Sequence, residues 1–249
     1  MANAREQYDR IGEAFEGFKA LPIIQYGEVP GVLAEVGDVT GKSVIDFGGG
    51  TGFYAREFKR RGAADVFCID ISGEMIAVGE KIEQAQPLGV RYAVGDVAEL
   101  AEPEEPFDIA VAVQLFNYAD DMTAVEKMCR TIHASVKPGA PCVLFAQNPE
   151  YRFDGPPLDK YGFRCEAREG DSEHGIPTRI TALLPGQEVS FDATPPKRET
   201  YERCLTEAGF TEVTWISLPI SPAGIEKFGS DFWQDFYANP PLTLLRCRA

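Results

Sequence analysis

The chain has 249 residues, enough to bury a full core, and the length suits one α/β domain with an insertion better than two independent domains. Its formal charge of −15 at pH 7 leaves no cluster of Lys and Arg to neutralise phosphates, which argues against nucleic acid and for a small-molecule partner. No run approaches the roughly 18 apolar residues of a membrane span, and the opening Met1-Ala2-Asn3-Ala4-Arg5-Glu6 has no apolar signal core, so a cytoplasmic chain with no membrane contact is expected.

From Glu6 to Phe18, apolar residues at Tyr8, Ile11, Phe15 and Phe18 keep the three-to-four spacing of an amphipathic helix. A second apolar segment, Ile23 to Val36, is broken by Pro22 and Pro30 and gives way to the turn-rich Gly37-Asp38-Val39-Thr40-Gly41. Ser43 to Phe47 then reads as a buried strand. It runs directly into Gly48-Gly49-Gly50-Thr51-Gly52, a loop whose glycines permit positive φ and let backbone N–H groups approach a ligand. The helix after it, about Gly52 to Arg61, offers its positive end to the same ligand.

Two ligands fit such a loop. Gly50-x-Gly52-x-x-Ala55 satisfies the loose dinucleotide fingerprint, but Asp46 stands before the first glycine. A carboxylate there repels a pyrophosphate and attracts a ligand carrying ammonium or sulfonium charge. Ala63 to Asp70 forms a second strand ending in a carboxylate about 20 residues after the glycines, the spacing of the ribose-binding acid of nucleoside-binding α/β folds.

Ser72 is placed to cap a helix carrying Met75, Ile76, Val78 and Ile82. Strand three spans Val90 to Val94, and the near-continuous apolar run Pro106 to Val113 reads as a central parallel strand covered on both faces. Gln114-Leu115-Phe116-Asn117-Tyr118 lies beyond its carboxyl end, where open α/β sheets bind ligands. A helix from Asp121 to Val136 ends at Lys137-Pro138-Gly139, and strand five runs from Pro141 to Gln147.

The proline-rich stretch 148–196 interrupts this rhythm as an insertion. Within it, Arg179–Leu184 and Gln187–Phe191 flank Pro185-Gly186, a hairpin with a type II turn. Its aromatics suit a lid and specificity wall over the ligand edge. A helix follows Thr194-Pro195-Pro196 and ends at Gly209, and two terminal strands begin at Phe210 and at Leu242. The six cysteines are scattered and His133 and His174 are the only histidines, so no metal site is expected.

Asp46-x-Gly48-x-Gly50-x-Gly52 resembles the first motif of class I S-adenosylmethionine-dependent methyltransferases, and Gly95-Asp96-Val97 is similar to that family's third. The resemblance implies an α/β, Rossmann-like, doubly wound seven-stranded sheet, mostly parallel with an antiparallel last strand, plus a small cap after strand five. Residues 1–249 form one methyltransferase domain, residues 1–40 an N-terminal helical lid, and residues 148–196 the substrate-side insertion. S-adenosylmethionine is the implied cofactor, held by Tyr8, Asp46, Gly48, Gly50, Gly52, Asp70, Ile71, Met75, Asp96, Val97 and Gln114. By that resemblance Tyr8 is expected to close over its methionine end, Ile71 and Met75 to flank the adenine, and Asp96 to take the adenine amino group.

Phe116-Asn117-Tyr118-Ala119-Asp120, Lys160-Tyr161-Gly162 and Phe232-Trp233 resemble the toxoflavin-type azapteridine N-methyltransferases of bacterial secondary metabolism. That implies transfer to a nitrogen or oxygen of a small, planar heteroaromatic acceptor, of the kind met in antibiotic biosynthesis. Tyr26, Phe116, Tyr151, Tyr161 and Trp233 are expected to wall that acceptor, with His174, Asn117 or Tyr118 relaying a proton, in a monomer or homodimer. A nicotinamide-dependent oxidoreductase using Asp70, and an inert cofactor-binding module, are the alternatives.

Overall fold

The computed structural model describes residues 4–11, 17–170 and 172–249. Its centre is a seven-stranded sheet of order β3-β2-β1-β4-β5-β10-β9, in which β1 is Ser43–Phe47, β2 Asp65–Asp70, β3 Val90–Val94, β4 Ile109–Val113, β5 Pro141–Gln147, β9 Thr211–Ser217 and β10 Leu242–Arg248. Strands β1 to β5 pair in parallel, and β10 runs antiparallel to both β5 and β9. This is the doubly wound, mostly parallel sheet with a reversed last strand that the motif order implied.

Side-chain alternation along the strands divides the core in two. Val44, Ile109, Val111, Val143 and Phe145 face one layer. Ile45, Phe47, Ala110, Ala112 and Leu144 face the other. Helices cover both faces, which is why the central strands read as apolar runs without a polar side.

The chain leaves β1 through Gly48, Gly50 and Gly52, with φ of 65°, 57° and 77° respectively, and enters helix α3 at Phe53–Arg60. Since β1 lies between β2 and β4, the strand order reverses here, and the glycine loop opens at the switch point where such sheets take ligands. Helix α1, Ala4–Ile11, lies against this edge. Its Arg5 Nε donates to the Ile71 carbonyl at 3.2 Å, and Ser72 Oγ donates to Asp9 at 2.5 Å. The expected apolar positions Ile11 and Phe15 lie outside the described side chains.

The segment expected to break at Pro22 and Pro30 is instead helical throughout. A π turn at Ile24–Glu28 passes into helix α2, Val29–Val36. Pro30 falls in the first turn of α2, where a missing N–H interrupts nothing.

The insertion builds a separate antiparallel sheet of order β6-β7-β8, from β6 at Phe163–Ala167, β7 at Thr178–Leu184 and β8 at Gln187–Ala193. Strands β7 and β8 meet at Pro185-Gly186, where Gly186 has φ of 79°. Strand β6 adds an edge that carries Arg164 and Glu166 and so lacks the apolar run that marks a strand in sequence. Gln7 of α1 ties the small sheet to the N-terminal helix. Its Nε2 donates to the Asp192 carbonyl at 3.2 Å, and its Oε1 accepts the Asp192 N–H at 2.6 Å. No helix among the described residues is long and apolar enough to cross a membrane.

Candidate active site

One cavity runs from the glycine loop to the underside of the small sheet and encloses about 1470 Å³ of empty space, its mouth included.

Its glycine-loop side is a strip of backbone and carboxylates. Asp70, at the end of β2, accepts from the Gly50 N–H at 2.8 Å and the Ser72 N–H at 2.9 Å, so it fixes both the glycine loop and the next helix start. Burial pushes its pKa up, against those two hydrogen bonds. Ser72 caps helix α4, Gly73–Ala85, which brings Met75 to the cavity beside Ile71. Asp96 and Val97 line the far end, with Asp96 accepting from the Ala98 N–H at 2.9 Å.

Asp46 is the most unusual group in the strip. It is fully buried, and neither carboxylate oxygen has a hydrogen-bond partner. Burial raises its pKa from an ordinary 3.8 to about 7, with Lys19 pulling it down and Asp70 pushing it up. A buried carboxylate without a partner is costly unless a cation comes to it. Next to it, Glu28 accepts from Lys19 Nζ at 3.1 Å and from Tyr54 Oη at 2.9 Å. Glycine is required beside this acid, since a Cβ on Gly49 would stand 2.5 Å from Cys68 Sγ and 2.8 Å from Asp46 Oδ2.

A nucleoside-bearing cation fits these residues, and a pyrophosphate does not. Residues 44–139 match the model of the methyltransferase domain family. The chain has the α/β Rossmann-like methyltransferase fold, and S-adenosylmethionine is its cofactor. Among relatives, a ubiquinone/menaquinone biosynthesis C-methyltransferase of Laribacter hongkongensis is 26% identical over 205 residues, 78% of each chain. A ubiquinone biosynthesis O-methyltransferase of Acinetobacter baumannii is 33% identical over 105 residues, which cover 41% of this chain and 43% of that one. The same fold recurs in an S-adenosylmethionine-dependent methyltransferase from Mesorhizobium loti, with TM-score 0.65 and 20% identity over 93% of this chain and 100% of the other. It recurs also in the CcbJ methyltransferase from Streptomyces caelestis, with TM-score 0.63 and 16% identity over 98% of each chain.

Of the cofactor residues expected for the methyltransferase domain, Tyr8, Asp46, Gly48, Gly50, Asp70, Ile71, Met75, Asp96, Val97 and Gln114 line the cavity. Gly52 is not among the lining residues. It faces the other way, against the Tyr92 ring, so its glycine serves packing under the loop.

The expected acceptor wall needs correction. Tyr26, Phe116, Tyr151, Tyr161 and Trp233 do not line the cavity. Tyr161 and Trp233 are fully buried and stacked at 5.2 Å, with Tyr161 Oη donating to the Phe232 carbonyl and Trp233 Nε1 to that of Gly224. Phe116 packs edge-on against Tyr201 in the opposite core layer. Tyr151 meets Phe153 at 5.3 Å, and Tyr26 Oη accepts from Lys227. Large aromatics outside the motifs went to the core because burying them stabilises the fold wherever a face is available.

Two of the three expected proton relays are also absent from the cavity. His174 is buried at the seam where the insertion rejoins the main chain, with Nδ1 at 3.0 Å from Ser172 Oγ and its carbonyl accepting the Lys197 N–H. Burial depresses its pKa, so it is a neutral packing residue. Asn117 lies behind Gln114 and donates to its Oε1. Tyr118 does reach the cavity, where its Oη accepts from Tyr8 Oη at 2.6 Å. Burial raises the pKa of both phenols, so neither is a base at neutral pH.

The side of the cavity opposite the glycine loop is built by residues that no motif marked. Phe163, Cys165, Ile180 and Phe191 of the small sheet, with Phe18 below them, close the cavity opposite the loop. Phe18 and Phe191 stack at 6.1 Å, and Tyr8 leans on Phe191 at 6.4 Å. Ile180 and Phe191 face each other across β7 and β8 on one face of the hairpin, and that alternation was the only sequence signal for them.

Proposed function

We propose that this domain transfers a methyl group from S-adenosylmethionine to a nitrogen or oxygen of a small, planar, heteroaromatic metabolite. The observation that carries the reading is the continuity of one cavity from the Asp46–Asp70 strip to a chamber walled by Phe18, Phe163 and Phe191. Flat aromatic walls favour a flat ring. The quinone-pathway relatives, named for methyl transfer in ubiquinone and menaquinone biosynthesis, agree with a ring-bearing acceptor.

S-adenosylmethionine supplies an electrophilic methyl on a positively charged sulfur. The chain's own residues do the rest. Asp70 and the Gly48–Gly50 backbone hold the nucleoside, and ionised Asp46 offsets the ligand's positive charge. Tyr8 and Tyr118, joined through their hydroxyls, line the cavity and would exclude water from it. Rate then comes mainly from alignment of acceptor and methyl group, and no dedicated base is required. The acceptor must bring a lone pair already free at working pH, since Tyr118 and Cys165 both hold their protons.

The test is transfer of an isotopically labelled methyl group from S-adenosylmethionine to a panel of hydroxy- and amino-substituted bicyclic heteroaromatics, with products located by mass spectrometry. Label on ring-borne nitrogen or oxygen is expected. Label found only on carbon, or only on non-aromatic acceptors, would overturn the reading.

A further inference from the structure

Gln147 closes β5 at the carboxyl edge of the sheet, in register with Leu242 of β10, and both residues line the cavity. It is 9% exposed, yet its Nε2 is buried with no hydrogen-bond partner. Buried amide N–H groups are almost always paired, and an unpaired one on a residue that lines a ligand chamber leaves a place for a partner that arrives with the ligand.

The neighbouring strand end points the same way. Gln114 follows β4, with its N–H donating to the Phe145 carbonyl at 2.7 Å and its backbone turned to φ of 58°, a strained region for a residue with a side chain. Asn117 Nδ2 occupies the Gln114 Oε1, so the amide nitrogen is the end of Gln114 left to meet a ligand. Gln114 and Gln147, which follow or end adjacent strands, thus both line the cavity at the carboxyl edge of the sheet.

Charge completes the argument. Lys19, Glu28, Asp46, Asp70 and Asp96 are all grouped around the glycine loop and its strip. Across the chamber, from the small sheet to Pro241 and Leu242, the ionisable groups among the described residues are Tyr8, Tyr118 and Cys165, and burial keeps all three neutral. A charged acceptor would lose its water there and gain no counter-ion.

Resting on the methyl-transfer reading, we propose that Gln147 selects the acceptor by donating a hydrogen bond from Nε2 to a carbonyl oxygen conjugated to the acceptor ring. The acceptor class is therefore an uncharged, planar ring system bearing such a carbonyl. Gln147 is a specificity residue, and it takes no part in the displacement itself.

The experiment compares two probes of similar shape on protein saturated with S-adenosylhomocysteine, 1-methyl-4-quinolone, which carries the ring carbonyl, and 1-methylnaphthalene, which lacks it. Wild-type protein, Gln147→Met and Gln147→Leu are titrated with each by calorimetry. Both variants should lose about threefold to tenfold affinity for the quinolone, the span of one neutral hydrogen bond, and bind the naphthalene as well as or better than wild type. Equal changes for the two probes, no change for either, or failure of wild type to bind either probe would overturn the proposal. S-adenosylhomocysteine binding is the control. Its loss in both variants makes Gln147 a structural residue and ends the proposal, whereas its absence in wild type refutes the cofactor reading itself.

Discussion

Asp46 sets a pH dependence that its burial allows us to size. Its carboxyl is raised from 3.8 to about 7 because desolvation outweighs the pull of Lys19. Between those values the native carboxyl keeps a proton that the unfolded chain has lost. Stability from this group is therefore full below 3.8 and is lost as pH rises through about 7. A shift of about three units corresponds to at most about 4 kcal/mol. Roughly 1 kcal/mol of that falls between pH 6 and 8, worth ~2–4 °C in Tm for a domain of this size. Asp46→Asn removes the titration and leaves every other group in place. Calorimetric melting without cofactor at both pH values should show wild type gaining those degrees at pH 6 relative to the variant. If both proteins respond to pH alike, Asp46 titrates near its ordinary value and the account of an unpaired buried acid fails. The same group ties cofactor binding to proton release, because a positive ligand favours its ionised form. Affinity for S-adenosylmethionine should then fall by up to ~tenfold per pH unit below 7 in wild type, and the variant should bind weakly at every pH.

Asp70→Ala removes the acceptor of the Gly50 and Ser72 N–H groups and should weaken S-adenosylhomocysteine binding by about 1.5 to 3 kcal/mol, measured by calorimetry; unchanged affinity would remove Asp70 from the site. Gly49→Ala places a Cβ on Cys68 Sγ and Asp46 and should abolish cofactor binding while the far-ultraviolet circular dichroism stays native. A variant that binds normally would show that the loop tolerates a side chain there. Gln7→Leu cuts both hydrogen bonds to the Asp192 backbone, so stopped-flow traces should show faster cofactor entry and exit with a smaller change in affinity. His174→Phe should leave acceptor turnover within about twofold of wild type, since neutral buried packing tolerates a similar volume; a loss of orders of magnitude would return His174 to the site.

The central sheet and the cofactor strip could be read from the chain because each rests on local chemistry. The apolar runs at Ile45, Val66 and Val111 have no polar side, which only a strand covered on both faces requires. Gly48 and Gly50 need positive φ, and Asp70 ends its strand at a fixed distance from them. Those requirements involve neighbours in sequence or one strand spacing, so the residue order states them. The chamber under the small sheet is different in kind. It is made where Phe18, Ile180, Phe191 and the strand-end Gln147 converge from four separate segments, while Tyr161 and Trp233, equally aromatic, are spent on packing. An aromatic ring gains as much from a core as from a ligand wall, and only the tertiary arrangement decides which of the two it meets. Burial likewise turned His174 into a packing residue and left Asp46 without a partner, because desolvation belongs to the surroundings of a group and not to its place in the chain.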